Sequence, residues 1–378
     1  MKRLRAELKA AGVFEHRPRS SWTKLALMLA VTLACCAGIA FGPVWAWLLL
    51  VPAAALATTT ATLIGHEGSH GSFSSRSGEN QLLVHIVLPL FAGISALYWK
   101  HKHNGLHHGH PNVVGADPDI ELWPMASSRS EYERAGKVLR WFQRNVQGYL
   151  FWPAATTLST MMRLPSYSFI YRQLRTRSAK RLVLSDTVCL VAHYALWVGL
   201  PSLYFGFLPV FALYMTIWAL VGVMLAVIFT PAHLGLPLLV DQHHDWRHQL
   251  ETTRNIRTPR WLSYFYVGLD YQIEHHIFPQ IPHQNLPRAS AIMRRWCGEV
   301  GLPHRQVEYV AGLVSVTRFV HDAWNLEALA SGQSSAPQAR ASFGEGSREP
   351  RSFGARLLPQ PPKVSASDAA ELTSDLLY

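Results

Sequence analysis

The sequence predicts an all-α integral membrane protein with about four transmembrane helices in two hairpins, a re-entrant or interfacial segment, and a cytoplasmic helical cap. Three observations carry this prediction. Hydrophobic residues make up 49% of the 378 and fall into runs, while the charges crowd between the runs. Four of the runs are long enough to cross ~30 Å of hydrocarbon as helix. Histidines gather in three groups outside the runs, and the arrangement of the runs puts all three groups on one membrane face.

Residues 1–21 form a basic N-terminus, with Lys2, Arg3, Arg5, Lys9, Arg17 and Arg19 ahead of the first run. That lead is too long and polar for a secretory signal peptide, and the positive-inside rule places it in the cytoplasm. A membrane domain is expected over 22–330. Its first hairpin joins spans 25–42 and 44–64 through Gly42 and Pro43, and its second joins 182–204 and 207–230 near Gly206 and Pro209. Residues 81–98 are apolar but interrupted by His85, Pro89 and Gly93, so they read as re-entrant or interfacial. The basic stretch 129–181 belongs on the cytoplasmic side, which requires 81–98 to dip in and return. Residues 331–378, rich in Ser, Pro, Gly and Arg, read as a disordered tail.

Composition excludes several function classes. The net charge of +11 comes from basic residues flanking apolar runs, with no aromatic-interleaved patch, so it points to anionic lipid headgroups and not to nucleic acid. The four cysteines, Cys35, Cys36, Cys189 and Cys297, form no CxxC pair, which argues against a disulfide framework or zinc ribbon. No Walker motif or GxGxxG fingerprint occurs.

The histidine groups carry the chemistry. In His66-Glu-Gly-Ser-His70 the two imidazoles, four residues apart, share one helical face and reach one metal centre. This group also fits the HExxH pattern of zinc proteases. His103-Asn-Gly-Leu-His107-His108 repeats the spacing, with His108 turned about 100° toward a neighbouring metal. His101 and His110 flank that face as supporting or surface residues. Pro111 stops the helix, and Asp117-Pro-Asp119 caps or turns the next segment. The third group is Gln272-Ile-Glu-His275-His276. A protease needs one zinc, a glutamate base and one further ligand, whereas seven or more imidazoles on one face suffice for two metals. His85 and His193, inside apolar runs without partner spacing, read as structural; His243, His244 and His248 read as facing water or headgroups.

The order HEGSH, HNGLHH, QIEHH resembles the three histidine boxes of the membrane fatty acid desaturase family, and the leading glutamine of the third box resembles its acyl-lipid and front-end branch. The stretches WKHKHNGLHHGHPNVVGADPDIE, DWRHQLETTRNI and GLDYQIEHHIFPQIPHQNLP extend the likeness over roughly residues 20–310. The resemblance implies a membrane di-iron oxidoreductase that uses O₂ and two electrons to insert a C=C bond into an acyl chain. It implies two Fe ions held by His66, His70, His103, His107, His108, His275 and His276, with His233 of FTPAHLGL as an eighth ligand. Gln272 is expected to coordinate or to orient a ligand, Asp117 and Asp119 to receive imidazole N–H groups, and Trp246, Gln249 and Asn255 to line the approach to the site. Neutral imidazole suits iron, and unactivated C–H bonds need an activated metal–oxygen reagent, not acid–base groups.

The sequence departs from the family in two places. It carries no HPGG haem motif, so a separate ferredoxin, rubredoxin or cytochrome b5-type donor is expected; and its second box has three residues between the first two histidines where some front-end members have two. A fatty acyl or lipid hydroxylase, or an acetylenase, on the same scaffold is the nearest rival. A membrane metal-binding or transport protein is the rival of a different class; it would place ionisable residues inside the spans.

Overall fold

The computed structural model describes residues 1–176, 180–240 and 246–327, so the tail at 331–378, His243 and His244 lie outside the described residues. Leu4 and Leu8 sit one helical turn apart in α1 (Lys2–Ala10) and are fully buried. The basic N-terminus is therefore packed and not a free tail. Pro18, pre-set for the first helical turn, opens α2 (Pro18–Phe41), which Gly42 and Pro43 end, and α3 (Trp47–Ser69) packs back along it. α2 begins before and α3 runs beyond its predicted span, and the HEGSH box lies in the last turn of α3 with His70 at its C-cap.

Residues 77–107 form two arms with a sharp bend between them. One arm is α4 (Ser77–His85) continued by a π-helical turn, Ile86–Phe91; the other is α5 (Ala96–Trp99) continued by the π-helix Lys100–His107, and the two arms meet at 110°. Gly93 makes the bend at φ +70°, and a Cβ there would meet His193 Nε2 at 2.7 Å, so the bend requires glycine twice over. Gly68 of the first box lets the α4 backbone approach: an added Cβ would lie 2.9 Å from the Asn80 carbonyl.

Helices α6 (Arg129–Arg134), α7 (Lys137–Asn145) and α8 (Gln147–Ala154) lead into α9 (Leu158–Thr176). Then α10 (Lys180–Tyr194), a π-turn and α11 (Leu200–Phe205) form one long apolar unit, and α12 (Phe207–His233) forms the next, with Gly206 at φ 79° between them. Four helical units, 18–41, 44–69, 180–205 and 207–233, are long and apolar enough to cross a membrane. Leu27, Leu48, Val188 and Leu203 project from them exposed, which in a soluble protein would be costly and in lipid is not.

The remaining chain comprises α13 (Arg247–Thr252), α14 (Arg260–Tyr266), α15 (Gln272–Ile277), α16 (Leu286–Glu299) and α17 (Tyr309–Asp322). The one exception to all-α structure among the described residues is a parallel pair, β1 (Asn255–Arg257) with β2 (Gln306–Glu308). Leu4, Leu8 and Val13 join Leu250, Ile273, Met293 and Trp296 in a second core, so α1 clamps the helix that carries the third box. Arg3 pairs with Glu299, and Glu7 with Arg295, across that contact.

His85 and His193, the two histidines with a structural reading, hold the dip in place. His85 Nδ1 lies 2.6 Å from Asp186 Oδ1, while the other Asp186 oxygen accepts from Ser95 Oγ (2.6 Å) and the Leu97 N–H (3.1 Å). His193 Nε2 is 2.7 Å from the Tyr214 hydroxyl and its Nδ1 3.0 Å from the Leu90 carbonyl. Asp186, the one acidic residue of the second apolar block, thus caps the returning arm.

Candidate metal centre

Each box places its imidazoles by local helix geometry. At the end of α3, His66 and His70 are one turn apart with Nε2 atoms 3.2 Å from each other. In the second box the π-helix changes the outcome expected for an α-helix. The His108 N–H donates to the His103 carbonyl, five residues back, at 2.9 Å, which brings the His108 ring over His103 and leaves His107 turned away. The helix ends at His107, ahead of Pro111. On α15 the adjacent His275 and His276 point apart, their ring planes 89° to one another.

The result is two clusters. The ligand nitrogens of His66, His70, His103, His108 and His275 all lie within 4.8 Å of one another, and so do those of His107, His233 and His276. Each HH pair is split, one ring to each cluster, and the rings of His108 and His276 stack at 4.2 Å between them. The eight members are the eight histidines singled out from the sequence. Asp119 also comes within reach of His103 and His107.

Hydrogen bonding alone does not account for this crowding. His66 Nε2 lies 2.7 Å from His103 Nε2 and 3.2 Å from His70 Nε2; His108 Nε2 lies 3.2 Å from His103 Nε2 and 3.1 Å from His275 Nε2. A neutral imidazole nitrogen is either one donor or one acceptor, so an Nε2 touching two others satisfies at most one. A cation about 2.1 Å from each nitrogen sets adjacent ligands ~3 Å apart, the spacing seen. In the second cluster, Nε2 of His276 and Nε2 of His233 are buried without a hydrogen-bond partner. Burial, reinforced by neighbouring imidazoles, holds His70, His108, His275 and His276 well below the ordinary histidine range. They are neutral at pH 7, with lone pairs free for a metal. The donor set fits two metal ions.

A surrounding shell orients these rings. Both oxygens of the fully buried Asp117 lie 3.1 and 3.2 Å from His107 Nδ1, and they also accept the Asn112 and Asp119 N–H groups. Asp119 pairs with Lys102 and stands 3.5 Å from His107 Nδ1. Gln249 accepts from His276 Nδ1–H at 3.0 Å and donates to the His108 carbonyl at 2.8 Å, tying the two boxes together. Removing that acceptor with Gln249→Leu is expected to lower metal affinity about 10–100-fold, read as metal content against a competing chelator. Gln272 is buried one turn before His275 and His276, and its Nε2 has no hydrogen-bond partner.

A cavity of ≈ 390 Å³ opens onto His66, His103, His107 and His233, and its walls include Leu63, Leu88, Met162, Leu225 and Phe229. Along α12 the wall runs from His233 back to Trp218, about 22 Å of helix rise. Arg163 stacks 3.7 Å over Trp218 and donates to the Ala92 carbonyl, closing that end. Trp246, Gln249 and Asn255, expected at the approach, are not in these walls. Trp246 packs on Trp296 in the second core, Gln249 faces His276, and Asn255 donates to Glu274 and receives the Ile273 N–H. His248, expected in water, is buried with Nε2 2.8 Å from the Pro111 carbonyl, because α13 folds under the second box. His101 stacks on Phe169 and His110 bonds the Leu106 carbonyl; neither joins a cluster.

Two pairings have no counterpart among the sequence expectations. Glu67 of HEGSH turns away from the metal positions and binds His283 through both oxygens, at 2.9 Å to its N–H and 2.8 Å to its ring. Glu274 of QIEHH does the same with His304 Nε2 at 2.7 Å and with Asn255. A glutamate so engaged is no protease base, which removes the HExxH reading. His283 opens a short 3₁₀ turn after Pro282 and His304 follows Pro303 in a loop, with no periodic partner to mark either.

The family model for fatty acid desaturases matches residues 43–308. The chain belongs to the fatty acid desaturase family. This desaturase-family chain is 26% identical over 293 residues to fatty acid desaturase 3 of Homo sapiens, covering 73% of the chain and 64% of the relative. It is 28% identical over 324 residues to the sn-1 linoleoyl-lipid 6-desaturase of Arthrospira platensis (80% and 84%). It is 30% identical over 267 residues to a Delta(8)-fatty-acid desaturase of Euglena gracilis (66% and 61%). The chain therefore spans just under two thirds of the human and Euglena relatives' length.

Proposed function

We propose that the chain is an O₂-dependent fatty acyl desaturase in which His66, His70, His103, His108 and His275 hold one iron and His107, His233 and His276 the other. The observation that carries this reading is the pair of adjoining imidazole clusters, members of which line a largely apolar cavity. The irons, when bound, supply an oxidant able to break unactivated C–H bonds, using O₂ and two electrons from a donor protein of ferredoxin, rubredoxin or cytochrome b5 type. The protein's part is positional. Leu63, Leu88, Leu225 and Phe229 exclude water and hold an alkyl chain in line, and Asp117 and Gln249 fix the rings of His107 and His276. The four apolar units form two hairpins, with the dipping arms entering and leaving on one face. The basic stretch 129–181 supports placing the N-terminus, the tail and all three boxes on the cytoplasmic side.

The test is expression in a host lacking such activity, followed by lipid mass spectrometry that locates new double bonds. New double bonds are the expected result; hydroxylated lipid would replace desaturase by hydroxylase, and unchanged lipid would refute both. The cavity adds a finer expectation. Trp218→Ala removes the bulk at the closed end, so the product profile shifts toward acyl chains with a longer segment beyond the new bond.

A further inference from the structure

Helix α7 is amphipathic in an unusual sense. Its inner face is fixed, with Gln143 buried and donating to the Pro124 carbonyl at 2.9 Å and Phe142 packed on the core beneath. Its outer face shows Val138 (84% exposed) and Trp141 (63%), joined from α8 by Tyr149 (74%). Among these apolar side chains, Lys137, Arg140 and Arg144 line an open groove of ≈ 460 Å³ with Tyr132 and Asn145. Among the described residues no carboxylate pairs with any of the three, whereas nearby Arg129 is held by Glu133 and Glu327. The Arg144 guanidinium lies 4.9 Å over the Trp324 ring, so it is held in place with its charge unneutralised.

A solvated face would carry the cations without the exposed Val and Trp. An apolar stripe fringed by unpaired cations fits the boundary between headgroups and acyl chains. Exposed apolar side chains also recur further along, at Leu150 of α8 and at Met161 and Leu164 of α9. We propose that α7 is a binding site for anionic phospholipid: Lys137, Arg140 and Arg144 hold the lipid phosphate while Val138, Trp141 and Tyr149 enter the acyl boundary. The pairing of unneutralised cations with exposed Val138, Trp141 and Tyr149, in a chain with four helices long and apolar enough to cross a membrane, favours a bilayer over an acidic protein as the occupant. Through Gln143 and Pro124 the site is tied to the Trp123–Met125 wall of the cavity, so lipid docking steadies that wall.

The test uses the full chain in phosphatidylcholine nanodiscs carrying the same series of mole fractions of either brominated phosphatidylglycerol or brominated phosphatidylcholine. Quenching of Trp141 is read as the difference between the unmodified chain and Trp141→Phe. Phosphatidylglycerol is expected to quench at about tenfold lower mole fraction. The K137Q/R140Q/R144Q chain loses that preference, and K137Q/R140Q, which spares the Arg144 stack, loses part of it. The K2Q/R5Q/K9Q chain, with equal charge removed from α1, keeps it. Equal quenching by both lipids, a preference that survives the triple change, or an equal loss in the α1 variant overturns the proposal. Shielding of Trp141 by an acidic ferredoxin and not by lipid overturns it as well.

Discussion

Alanine at His103 abolishes product formation, with turnover falling to the detection limit while the chain still inserts into the membrane. Its Nε2 is the hub of the five-histidine cluster, 2.7 Å from His66 and 3.2 Å from His108, and its ring stacks on Trp99 at 4.6 Å. The substitution removes a ligand and the spacing between two others, so iron per chain falls from two toward one. His276→Ala is expected to do the same to the second cluster, where only three imidazoles meet and the loss of one leaves too few. Metal analysis of purified protein alongside lipid analysis checks both. Undiminished turnover in either variant would refute the ligand assignment.

Asp186→Ala is the largest expected effect on stability. The Asp186 side chain is fully buried and accepts from His85, Ser95 and the Leu97 N–H. Truncation leaves three buried donors without an acceptor, including an imidazole that was paired, at a cost of about 3–5 kcal/mol. The bend at Gly93 loosens, and with it the returning arm that carries His103, His107 and His108. Asp186→Asn retains one acceptor and the side-chain volume, so its loss is smaller. Thermal denaturation in detergent ranks the two, and a melting temperature unchanged by Asp186→Ala would show that the network does not hold the dip.

The sequence exposes what is local and hides what is long-range. His66 and His70 on one helical turn, and the spans ending beside the boxes, follow from periodicity, so the apolar units and the paired histidines are legible, whereas the full set of eight, His233 above all, comes only with the family resemblance. Which ring of the second box joins which cluster is not legible, because the π-helix Lys100–His107 sets His108 with His103 where α-helical spacing would pair His103 with His107. Glu67 and His283 lie 216 residues apart, and no spacing rule links a loop histidine to a box glutamate. Leu4 and Leu8 have helical spacing, but their partners on α16 lie far along the chain, so the sequence shows only a basic N-terminus and not its packing. The burial of His248 is hidden for a similar reason: its charged, polar neighbours suggest solvent, whereas the folded chain sets its ring against the Pro111 carbonyl.

The most direct test of the desaturase assignment is reaction of the purified, iron-loaded, membrane-reconstituted protein with a vicinally deuterated acyl lipid under ¹⁸O₂ and a reducing donor. The prediction is a product that has lost two vicinal deuterium atoms, contains a new C=C bond and carries no ¹⁸O. A product that retains one of those deuteriums and carries ¹⁸O on the chain would contradict it and make the chain a hydroxylase.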